Sequence, residues 1–144
     1  MHKVVYQSPN GLTTDNIGIN KLKEYILDQF PEYWYQGNGG ASLDFYDGEI
    51  NNKSLLILPN EEYGIYLKYL VLENGKVKET WLSLEDRLNL NETVECSEEW
   101  YASIGLFLPK EKAWLAIKEF YLSGERTNRI EWLDSNEIPE DGNY

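Results

Sequence analysis

Two apolar-rich segments, Tyr63 to Leu72 and Val77 to Leu84, flank the triplet Glu73-Asn74-Gly75. Asn and Gly tolerate the positive φ that a tight turn requires, so this pattern predicts an antiparallel hairpin with long arms. In the first arm Tyr63, Ile65, Leu67, Tyr69 and Val71 line one side, and Tyr66, Leu70 and Leu72 the other. Both faces are thus largely apolar, and the polar tips of the tyrosines place some rings at the sheet margin or in a groove.

The neighbouring pattern extends the sheet. Leu43 and Phe45 alternate with Asp44 and Tyr46 before the turn Asp47-Gly48, and Leu55-Leu56-Ile57-Leu58 is apolar at every position, as in a central strand covered on both faces. Weaker strands are expected at Val4 to Tyr6, Thr93 to Cys96, Ser103 to Leu106 and Arg129 to Trp132.

Two helices frame these strands. Asp15 or Asn16 caps the first, in which Ile19, Leu22, Ile26 and Phe30 recur at helical spacing until Pro31. Pro109 opens the second, which places Ala113, Ala116, Ile117 and Phe120 on one side and ends at Gly124. The expected fold is an α+β domain: a mainly antiparallel sheet of about five to seven strands with two helices packed on one face. Residues 1–133 form the single domain and residues 134–144 an acidic, loose tail.

Composition narrows the function. About a quarter of the chain is Leu, Ile, Val or Phe, enough for an ordered core. The formal net charge of −12 argues against direct binding to nucleic acid or to an anionic membrane and favours a cationic partner. No apolar run suits a spanning helix and the start carries no secretory pattern, so a cytoplasmic location is expected. On that reading Asn52-Lys53-Ser54 and Asn91-Glu92-Thr93 are chance matches to a glycosylation pattern.

The inventory also denies most catalysis. His2 is the only histidine, beside the first residue, and Cys96 the only cysteine, so neither a Ser-His-Asp or Cys-His arrangement nor a zinc site of Cys and His ligands is expected. Cys96 sits among Glu95, Glu98 and Glu99, which oppose thiolate formation. No stretch matches a calcium-binding loop, and Gly37-Asn38-Gly39-Gly40 lacks the Gly-Lys-Ser/Thr ending of a phosphate cradle and reads as a turn. Neither enzyme activity nor a cofactor or metal is expected; paired carboxylates, as in a glycosidase, are the one chemistry supplied generously.

Acidic and aromatic residues meet repeatedly at expected turns. Between residues 85 and 101 stand Glu85, Asp86, Glu92, Glu95, Glu98 and Glu99, countered only by Arg87 and followed by Trp100-Tyr101. Tyr46-Asp47 and Glu61-Glu62-Tyr63 repeat the pairing. Rings anchor interfaces and surrounding like charge steers a basic partner, so Tyr46, Asp47, Glu61, Glu62, Tyr63, Glu85, Asp86, Glu95, Glu98, Glu99, Trp100 and Tyr101 are the candidate partner-binding residues.

Leu108-Pro109-Lys110-Glu111-Lys112-Ala113-Trp114-Leu115-Ala116-Ile117-Lys118-Glu119-Phe120, followed by Gly124-Glu125-Arg126-Thr127-Asn128-Arg129-Ile130-Glu131-Trp132, resembles the closing motif of the first-numbered immunity-protein family of bacterial polymorphic toxin systems. There a Pro-led helix runs into Gly-Glu-Arg-Pro and a strand ending in Trp; Thr127 stands where that Pro is usual. Gly39 to Phe45, the Leu55 to Leu58 strand and Tyr63-Gly64 are similar to the family's opening strands. The resemblance implies a small, non-enzymatic protein that covers the active site of a cognate toxin domain, often a nucleic-acid deaminase. It brings no catalytic residues and does not identify the contact surface. An acidic nucleic-acid mimic or adaptor is the alternative from another class, and a carboxylate-pair glycosidase a third.

Overall fold

The computed structural model describes residues 2–144. Its ten strands are β1 (His2–Gln7), β2 (Thr13–Asp15), β3 (Ala41–Asp47), β4 (Ile50–Asn60), β5 (Gly64–Glu73), β6 (Lys76–Leu84), β7 (Thr93–Ser97), β8 (Trp100–Ser103), β9 (Phe107–Leu108) and β10 (Glu131–Asp134). Two α-helices, α1 (Ile19–Lys23) and α2 (Lys110–Ser123), complete the regular structure. Eight strands form one antiparallel sheet in the order β10-β6-β5-β4-β3-β1-β2, with β9 paired to the start of β5; β7 and β8 form a separate hairpin. The α+β expectation holds, with a main sheet one strand larger than the expected range.

The central hairpin forms as its sequence requires: Asn74 and Gly75 both take positive φ, 54° and 77°, between β5 and β6. Beyond the turn β6 cannot follow β5 to its start, because β9 takes that position, pairing with Ile65 and Tyr66. Ser83 closes the junction. Its hydroxyl accepts the Leu67 N–H at 2.9 Å and donates to the Leu106 carbonyl at 2.7 Å. At the start of β5, Gly64 has φ 109° and lies so close to Leu108 that a Cβ would stand 2.0 Å from its carbonyl oxygen. Only glycine fits that approach.

Each face of the sheet has its own core. On one, α1, the π-helical turn that follows it and α2 bury Leu22, Ile26, and Ile117 with Phe120, respectively, against Leu43, Leu55, Ile57, Ile65 and Leu67. Helix α2 matches its sequence signals: Pro109 is the N-cap, Gly124 the left-handed C-cap, and Ala113, Ala116, Ile117 and Phe120 are buried. On the other face Tyr66, Leu82, Leu84 and Leu133 lie beneath Leu90, Cys96, Ala102 and Leu106, so the hairpin β7–β8 and its flanking segments form the second cover. This cover is partial. Leu56, Leu70 and Leu72, expected on a fully covered face, are only half-buried.

The first helix differs from its expectation. Asp15 pairs in β2, Asn16 takes a left-handed φ of 54°, and Gly18 is the N-cap. After α1 the chain widens into a π-helical turn, Glu24–Asp28, in which the Gln29 N–H donates to Glu24 O at 2.8 Å. Leu22 and Ile26 stay four residues apart and fully buried, so the stripe survives the change of helix type. The strand expected at Ser103 to Leu106 ends at Ser103 and continues as a 3₁₀ turn, and the last strand begins at Glu131 rather than Arg129.

The acidic tail is anchored rather than loose. Asp134 caps a 3₁₀ turn by accepting the Asn136 N–H, Ile138 packs on the second core, and Asn143 bonds with Ser103 and Tyr101 of β8. Among the described residues no helix is long and apolar enough to cross a membrane.

Candidate partner-binding surface

The turn between β4 and β5 is built by Asn60. Its side-chain oxygen accepts the N–H groups of Glu62 and Tyr63 at 2.9 and 3.0 Å, fixing a tight bend that turns Glu61, Glu62 and Tyr63 out to solvent. Its amide nitrogen donates to the Glu95 carbonyl at 2.9 Å, tying the bend to β7. One side chain thus joins two acidic segments that are far apart in sequence.

On one side of this turn lies a groove of about 350 Å³, lined by Pro31, Trp34, Tyr35, Pro59, Glu61, Glu95, Cys96 and Glu98 among others. Three carboxylates border it, and no Lys or Arg is among its lining residues. The Glu98 N–H donates to the Asn38 carbonyl at 2.9 Å, which draws the tip of β7–β8 over the Gly37–Gly40 loop and forms the groove's far wall. On the other side lies a second groove of about 350 Å³, where Tyr63, Glu85 and Asp86 meet Ile104, Phe107 and Pro109. Glu85 and Asp86 are held there because both N–H groups donate to the Gly105 carbonyl, at 2.8 and 3.0 Å. Lys112 pairs with Glu85 at 2.7 Å, a half-exposed contact that offsets only part of the local charge.

Ten of the twelve candidate residues therefore share one end of the molecule, all exposed: Glu61, Glu62, Tyr63, Glu85, Asp86, Glu95, Glu98, Glu99, Trp100 and Tyr101. The rings divide. Tyr101 lies 49% exposed, while Trp100 turns back so that its ring centre is 5.2 Å from the Lys68 ammonium. Tyr46 and Asp47 do not join them. They lie at the opposite end of the eleven-residue β4, about 35 Å away along the strand, beside Lys3 and His2 of β1.

Tyr35 is the contributor that the sequence patterns did not single out. It is 63% exposed and its hydroxyl donates to the Glu61 carboxylate; that bond, above all, raises the phenol's pKa. The aromatic run Tyr33-Trp34-Tyr35 ahead of the glycine cluster was the available signal. Cys96, at the groove's base, is 1% exposed, and burial, more than its acidic neighbours, pushes its thiol up to about 12. Lys68, beneath the same hairpin, has its ammonium pKa lowered by burial.

Among the described residues no three His, Cys, Asp or Glu side chains are grouped to hold a metal ion. What the geometry provides is a ridge between two acidic grooves, with aromatic rings on both sides. No protein-family model matches the chain, and no curated protein matches its sequence.

Proposed function

We propose that this chain is a bacterial cytoplasmic immunity protein that binds a cognate toxin domain, one that acts on nucleic acid, and blocks its active site. The observation that carries the reading is the gathering of carboxylates and exposed rings from three separate segments, two beside the main sheet and one on the hairpin β7–β8, at one end of the molecule. A toxin domain that holds nucleic acid needs a basic surface, and such a surface complements this one. The field of a −12 chain speeds encounter with a basic partner by about 10- to 1,000-fold at low salt, while Tyr35, Tyr63 and Tyr101 supply anchors that slow dissociation. Inhibition is then steric and electrostatic.

The test is co-expression with the product of the adjacent gene. A stable complex and rescued growth are expected. Reversing Glu61, Glu95 and Glu98 to Lys should lower the association rate at least tenfold at low salt and flatten its salt dependence. A complex that forms equally fast with the reversed surface would refute the assignment of that surface.

A further inference from the structure

Beneath the hairpin β7–β8 the closed structure leaves two polar groups poorly served. Tyr66 is fully buried and its hydroxyl has no hydrogen-bond partner. Lys68 carries its ammonium into the same layer and, among the described residues, pairs with no carboxylate, in a chain that has 25 of them. Its neighbours are instead the rings of Trp100 and Tyr144, each centred 5.2 Å away. An unpaired buried hydroxyl alone shifts an opening equilibrium by about tenfold toward the state that wets it.

The hairpin shares no strand ladder with the main sheet. Segment 138–144 holds its outer edge. Ser103 N–H donates to the Asn143 carbonyl at 2.9 Å, Asn143 N–H donates to the Ser103 hydroxyl at 3.1 Å, and the Asn143 side-chain amide donates to the Tyr101 carbonyl at 2.6 Å. Gly142 lies so close to β8 and its approach that a Cβ would stand 2.4 Å from the Leu90 carbonyl oxygen. Tyr144 then closes over Lys68 opposite Trp100.

We infer that β7–β8 is a flap and segment 138–144 its latch: the flap opens locally from the second face, wetting Tyr66 and Lys68, while the helix-covered core stays folded. The two cores are separate clusters, so one opens without the other. The device stands on this geometry alone. Because the flap carries Glu95, Glu98, Glu99, Trp100 and Tyr101, its bearing on partner docking rests on the proposed function.

Cys96, the only cysteine, sits on the flap's own strand β7 with its side chain buried against the second core, so its exposure reports opening directly. Its labelling by an aromatic disulfide reagent is followed in the free protein, so the result is independent of any partner. When reclosing outpaces labelling, the rate tracks the open population. The double variant Asn143→Ala/Tyr144→Ala keeps the two main-chain bonds of Asn143 but loses its side-chain bond to Tyr101 and the Tyr144 ring over Lys68, and is expected to label about tenfold faster. Tyr66→Phe is expected to label about tenfold slower, since it removes a hydroxyl that only the closed state leaves unpaired. In sub-denaturing urea the wild-type rate should rise with less than about half the slope of equilibrium unfolding, because only the flap's surface is exposed. A slope equal to that of global unfolding, or rates unchanged in both variants, would overturn the proposal.

Discussion

Replacing Asn60 by alanine probes how the candidate surface is held together. The substitution removes three hydrogen bonds at once: two accepted from the N–H groups of Glu62 and Tyr63, at 2.9 and 3.0 Å, and one donated to the Glu95 carbonyl, at 2.9 Å. All three lie near the surface, where water replaces part of each, so about 0.5–1 kcal/mol apiece is appropriate and the loss sums to about 2 kcal/mol. With a urea slope of about 2 kcal/mol/M the unfolding midpoint falls by about 1 M. Asn60→Asp separates the two roles. It keeps the acceptor that shapes the bend and loses the donor to Glu95, so about 1 kcal/mol of loss is expected. Both variants are measured by urea unfolding followed by tryptophan fluorescence. An Asn60→Ala midpoint within about 0.2 M of wild type would refute the view that this side chain joins the two acidic segments.

Two further predictions concern buried side chains. Ser83→Ala strips a fully buried hydroxyl from between Leu67 N–H and Leu106 C=O and leaves both unpaired, so a destabilisation of about 3 kcal/mol is expected in the same unfolding assay. Cys96, pushed by burial up to about 12 from its ordinary value of 9.0, stays protonated when folded while the unfolded chain loses its proton. Its contribution is present below about pH 9 and lost as pH rises through about 12, removing about 1 kcal/mol between pH 9 and 10; Lys68, lowered from 10.5, acts in the opposite sense. Cys96→Ala should therefore show a smaller fall in unfolding midpoint between those pH values than wild type, and an identical fall would discount the burial of the thiol.

What the sequence made legible were elements whose ends are marked by local chemistry. Asn74-Gly75 must take positive φ, and Pro109 and Gly124 bracket α2, so those elements stood where expected. The first helix was misread at its start, because Asp15 and Asn16 have the composition of a cap while strand pairing with β1 claims Asp15. Its interior was misread because Leu22 and Ile26 keep the same spacing in an α or a π turn. The tail looked solvated by charge alone; its anchorage depends on Asn143 meeting a strand about forty residues earlier, which no local pattern encodes.

The candidate surface divides in the same way. Acid and ring adjacent at a turn were visible at 46–47, 61–63 and 85–101 alike. Only the length of β4 and the Asn60 bond to Glu95 decide which of those turns meet. Tyr46 and Asp47 have the right chemistry at the wrong end, and Tyr35 reaches Glu61 from a loop with no acidic neighbour closer than Glu32.

The β4–β5 turn stands as a ridge with Glu61 facing one groove and Tyr63 the other. A flat surface pressed against this end would rest on the crest and leave both hollows full of water. To reach the carboxylates on both flanks a binding partner needs a cleft wide enough to admit the turn, with a cationic lip on either side. If this end docks a partner as proposed, the ridge selects by contour as well as by charge, since a flat basic surface drawn by the −12 charge would not seat on it.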